Sequence, residues 1–84
     1  MPDQVDWPLR VKALLKSELK KRNVSYRKLA AMLKDIGVID SEANIKNKIS
    51  RGGFTAVFFI QCLSAIGCHT LRLDEIGLEV GEII

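Results

Sequence analysis

The sequence predicts an all-α fold, a compact bundle of four to five helices forming one domain over residues 1–84. Three observations predict it. The two prolines stand at positions 2 and 8, so none interrupts a helix in the interior. Apolar residues recur at helical spacing through most of the chain. Capping residues and glycines fall at the joints between those stretches. A chain this short buries only about 60–65% of its unfolded surface, so its stability rests on few residues.

The first helix is expected over about 7–22. Trp7, Val11, Leu14, Leu15 and Leu19 share one face, Asp6 is placed to cap, and Pro8 suits the first turn. Lys16, Lys20, Lys21 and Arg22 load its C-terminal end, where cations oppose the helix dipole. The second helix, about 26–35, starts after Ser25 as cap, carries Leu29, Ala30, Met32 and Leu33 as its stripe, and stops near Gly37. The third, 41–51, follows Asp40 or Ser41 and ends at Gly52-Gly53. Only Ile45 and Ile49 are apolar in its interior, so it is tethered by a narrow stripe. The fourth follows Thr55 and ends at Gly67, with Phe54 and Phe59 at staple spacing. Val57, Phe58, Phe59, Ile60, Leu63 and Ile66 cover most of its circumference, which makes it the core helix or partly an oligomer face. Beyond it, "LDEI" reads as a short fifth helix, with "TLRL" and "LEV" as alternative short strands. Residues 1–6 form an N-terminal tail and 78–84 an apolar C-terminal tail.

Charge is unevenly distributed. Residues 10–51 carry twelve Lys or Arg against four acids, residues 52–71 carry no formal charge, and residues 72–84 are net acidic. A net +8 over 42 residues is the signature of a nucleic-acid or anionic-surface binder. Enzymatic chemistry is not expected. There is one His, no nucleophile–base pairing, and "SRGGF" lacks the Lys and spacing of a phosphate loop. Cys62 and Cys68 read as small hydrophobes with no zinc spacing, so no metal and no cofactor is expected. The N-terminus lacks the pattern of a secretory signal, and the uncharged stretch is too polar for a membrane span. The expected location is the cytoplasm.

Helix 41–51 carries the candidate site. Opposite its apolar stripe stand Asn44, Asn47, Ser50 and Arg51. Asn pairs bidentately with adenine and Arg with guanine in a major groove. Lys46 and Lys48 flank that face, and Lys side chains commonly bind phosphates.

The order of these parts resembles the Cro and lambda-repressor-like (XRE-type) helix-turn-helix family. "SYRKLAAML" resembles its positioning helix, "NIKNKISRG" its recognition helix, and "FFIQCLSAIGC" the next core helix. "LRLDEIG" looks like its short fifth helix. "NKISRG-F" also resembles a small bacterial family carried only as a domain of unknown function. The first resemblance implies phosphate contacts from Ser25, Tyr26, Arg27, Lys46 and Lys48. It implies base-edge contacts from Asn44, Asn47, Ser50 and Arg51. One departure concerns length: Ala30 and Gly37 stand seven residues apart, wider than in the familiar motif, and the connection into the third helix is longer.

The function expected is sequence-specific binding of double-stranded DNA by a small regulator or antitoxin-like repressor. A homodimer is expected, because two short recognition helices reading neighbouring half-sites raise affinity and specificity. The tail and the outer face of helix 4 are its candidate interface. The alternative is a protein-interaction module of the same fold that uses the apolar tail and has no DNA role. Single-strand binding is disfavoured because Phe54, Phe58 and Phe59 lie apart from the basic residues.

Overall fold

The computed structural model describes residues 5–73. Four helices form, α1 (Trp7–Lys21), α2 (Tyr26–Asp35), α3 (Glu42–Arg51) and α4 (Ala56–Ala65), with no strand among the described residues. The "TLRL" strand alternative is therefore not realised. The "LEV" segment, the apolar tail and, beyond Leu73, the fifth helix fall outside the described residues.

Each helix starts at a side-chain cap on its third amide. Asp6 Oδ1 accepts from the Leu9 N–H at 3.1 Å, Ser25 Oγ from Lys28 at 3.1 Å, Ser41 Oγ from Asn44 at 3.0 Å and Thr55 Oγ1 from Phe58 at 3.0 Å. Each cap satisfies an amide that the helix itself leaves without an acceptor, at about 1 kcal/mol apiece. Of the two candidates before α3, Ser41 is the cap and Asp40 does something else.

Three helices also end alike. The amides of Val24, Val38 and Cys68 reach back to the carbonyls of Leu19, Leu33 and Leu63, each at 2.9 Å. This six-residue closure needs a left-handed residue before the returning amide. Gly37 supplies it after α2 at φ +87°, and Asn23 supplies it after α1 at φ +57°. The returning Val24 is itself buried, so chain reversal and core formation occur at the same residue.

The core joins Leu15 and Leu19 of α1, Leu29 and Leu33 of α2, Ile45 and Ile49 of α3, and Phe58, Cys62 and Leu63 of α4. Both α3 and α4 lie across α1 and α2, with little direct pairing of their own. The staple at the head of α4 forms as expected, with Phe54 stacked on Phe59 at 5.9 Å between centroids and edge-on to Phe58 at 5.7 Å.

Two side chains depart from the helical-face reading. Trp7 sits at the first residue of α1 and is half exposed. Glu18 is buried although charged. It accepts from Arg22 Nη1 and from Lys21 Nζ at 3.1 Å, and the Cys68 thiol lies 3.8 Å away. The basic "KKR" run thus neutralises a buried carboxylate on its own helix, besides opposing the helix dipole.

Candidate nucleic-acid interface

The site is built on α3, and its geometry follows from two isoleucines. Ile45 and Ile49 have no exposed surface. At about 100° per residue, Asn47 points directly away from the midpoint between them. Ala43 and Arg51 lie about 40° to either side of Asn47, Asn44 and Ser50 about 60°, and Lys46 and Lys48 about 100°. Ala43, Asn44, Lys46, Asn47, Ser50 and Arg51 are all exposed. The structure thus assembles the four expected base-edge residues on one outward face. The small Ala43 among them leaves room for close approach.

Lys48 behaves differently. Its ammonium donates to Asp40 Oδ2 at 2.6 Å and sits 4.9 Å from the centroid of the Phe58 ring. Asp40 precedes the helix cap, and its side chain is only 10% exposed. The Lys48 hydrogen bond, with smaller help from Asn44 and the Ser41 amide, holds the Asp40 carboxyl below its ordinary value against the opposing effect of burial. Besides the phosphate contact expected of it, Lys48 thus has an internal role: it staples the start of α3 to the helix body.

The far end of α3 is held from α1. Lys12 Nζ donates to the Ser50 carbonyl at 2.8 Å. That carbonyl belongs to the last turn, where helix acceptors lack intrahelical donors and a cation is favoured. Gly52 caps the helix in the left-handed region at φ +76° and is buried against α1. A Cβ there would meet the Pro8 carbonyl oxygen at 3.0 Å.

Three further residues, at the start of α2, are the other expected phosphate contacts. Ser25 and Arg27 are exposed, and Tyr26 is half-buried. The Ser25 oxygen already caps α2, which leaves its O–H to donate outward. Among the described residues, no ion pair engages Arg27, Lys46 or Arg51.

The sequence match spans nearly the same stretch. A family model described as a domain of unknown function, DUF6471, matches residues 7–71. The chain belongs to the DUF6471 family. The matched span runs from the first residue of α1 through all of α4, so this four-helix unit is the DUF6471 domain. No curated protein and no solved structure matches the chain.

Within this DUF6471 domain, burial pushes the Cys62 thiol up to about 12, the value of an inert core residue. No grouping of His, Cys, Asp and Glu suited to a metal ion occurs among the described residues. No described helix is long and apolar enough to cross a membrane. Three working residues carry no signal of their role in the sequence. Lys12 acts across 38 residues, beyond any local pattern. Asp40 reads there only as a cap, and Glu18 only as one of the four acids of the basic stretch.

Proposed function

We propose that this DUF6471 domain binds double-stranded DNA sequence-specifically, as a small helix-turn-helix regulator, with α3 entering the major groove. The observation that carries the reading is the outward face of α3. It offers two Asn, a Ser and an Arg on a helix whose two ends are each held by a lysine bonded internally. A reading head held at both ends loses little freedom on binding, so its contacts are not offset by ordering costs.

Asn47 stands at the centre of that face and is assigned to a base edge, with Asn44, Ser50 and Arg51 around it. Lys46 on one flank, and Ser25, Tyr26 and Arg27 at the start of α2, are assigned to phosphates. Lys48 is not assigned to DNA. The connection between α2 and α3 runs from Ile36 to Ser41, six residues, longer than the usual three- to four-residue turn. Val38 packs against the core and Asp40 bonds to Lys48, so the longer turn is pinned at both of those points.

The test is fluorescence anisotropy of the protein with mixed-sequence duplex DNA over a range of salt. The expected result is a linear fall of log affinity with log salt, with a slope of about −0.9 for each phosphate contacted. Absence of binding at low salt overturns the reading.

A further inference from the structure

We infer that the outer face of α4 is a contact surface for a second copy of this chain, forming a twofold dimer. Val57 is 66% exposed and Ile60 57% exposed. Ala56 and Ser64 are also exposed on this helix. Val57, Ile60 and Ser64 follow the i, i+3, i+7 spacing of a single helical face. A groove of about 460 Å³ runs beside this face, bounded by Ile60, Leu63 and Ser64 on one side and by the segment His69–Leu71 on the other.

Charge selects the occupant. Every Asp, Glu, Lys and Arg of the chain lies outside residues 52–71. The basic residues cluster in 10–51, so two copies that met through that stretch would set like charges opposite each other. The α4 face is where they meet without placing like charges opposite each other or burying an unpaired one. A membrane surface fits less well, because α4 has no Lys or Arg to reach anionic headgroups.

The spacing is self-complementary as well. In an antiparallel pair about a twofold axis between residues 60 and 61, Val57 of one copy faces Ser64 of the other. Ile60 then faces Gln61 on both sides of the axis. Large meets small at the ends, and the isoleucines meet near the middle. One face of a ten-residue helix is about 15 Å long. At a helix diameter of about 10 Å that is a projected patch on the order of 150 Å², short of the roughly 800 Å² per partner of a standard interface. The groove beside His69–Leu71 is therefore part of the contact.

Sedimentation velocity without DNA, over protein concentrations up to about 1 mM, tests the dimer independently of any DNA role. The full chain is expected to move from single-chain to two-chain mass as concentration rises. Ile60→Lys is expected to weaken that association at least tenfold while its helical circular dichroism and Tm stay unchanged. Ser64→Lys, at an exposed and originally polar position, is expected to do the same and decides the matter if Ile60→Lys folds poorly. A full chain that stays at single-chain mass throughout overturns the inference, whatever else covers α4. So does a two-chain mass that neither substitution alters in a folded variant.

Discussion

Lys12 on α1 donates its ammonium proton to the carbonyl of Ser50 on α3 at 2.8 Å. The contact joins the first helix to the last turn of the third and brings α1 against Gly52. It makes α1 part of the mounting of α3, although α1 contributes nothing to the face that α3 presents. Replacing Lys12 by Met keeps most of the aliphatic stem and removes the donor and the charge. The expected cost is about 0.5–1 kcal/mol, since the bond is exposed to solvent. Urea denaturation of Lys12→Met should show a lower midpoint at unchanged m-value, and added salt should narrow the difference from the parent.

Gly52 carries the same joint from the backbone side. At φ +76° an L-residue is strained by about 1–2 kcal/mol. The Cβ of Ala would also press on the Pro8 carbonyl oxygen at 3.0 Å. Gly52→Ala is expected to lower Tm by at least about 4–8 °C, the shift that about 1 kcal/mol produces in a domain of this size. Gly53→Ala is the control. A Cβ at Gly53 would meet nothing within 4 Å, and its backbone is not left-handed, so the Tm should stay close to the parent.

What the sequence disclosed and what it withheld divide along range. The caps Asp6, Ser25, Ser41 and Thr55 act within three residues, and the isoleucine stripe of α3 repeats within four, so all of them could be read locally. The outward set Asn44, Asn47, Ser50 and Arg51 followed from that stripe by helical geometry alone. Lys48 could not be matched to its partner the same way. Its position on α3 is fixed by periodicity, but its partner Asp40 lies in the turn, and the bond depends on how that turn folds back. The burial of Glu18 has no local signal, because its neighbours in space include Cys68, fifty residues away. The exposure of Val57 and Ile60 was hidden for a related reason. An all-apolar helix does not reveal which side its own domain leaves uncovered.

Side chains on one helix that do different work should separate in binding assays. Arg51→Ala removes an exposed group that makes no ion pair among the described residues, so stability should change by no more than about 0.5 kcal/mol. Under the DNA reading it should cost about 1–3 kcal/mol of affinity at a preferred sequence. Lys46→Ala should weaken all duplexes alike and make the salt slope shallower by about 0.9. Lys48→Ala should lower Tm and leave the salt slope unchanged, because its ammonium is already engaged by Asp40. Anisotropy with matched thermal melts reads all three. A Lys48→Ala slope that changes as Lys46→Ala does would return Lys48 to the phosphate-binding set.

Two carboxylates should govern the response to acid. Hydrogen bonding from Arg22, aided by Lys21, holds the Glu18 carboxyl below its ordinary value against the opposing effect of burial. Lys48 does the same for Asp40. In the folded state both groups therefore give up their protons at lower pH than in the unfolded chain. Across that interval the unfolded chain binds more protons, so stability rises with pH. The contribution is fully present above the ordinary carboxylate range of about 4 to 4.5. It is lost as pH falls through the lowered folded-state values. Urea midpoints measured from about pH 7 down to about pH 3 should fall steeply at the acid end in the parent. In the double variant Glu18→Gln, Asp40→Asn they should start lower at neutral pH and fall more gently, since neither amide has a proton to take up. Parallel acid limbs for the two proteins would mean that these ion pairs do not set the acid stability of the domain.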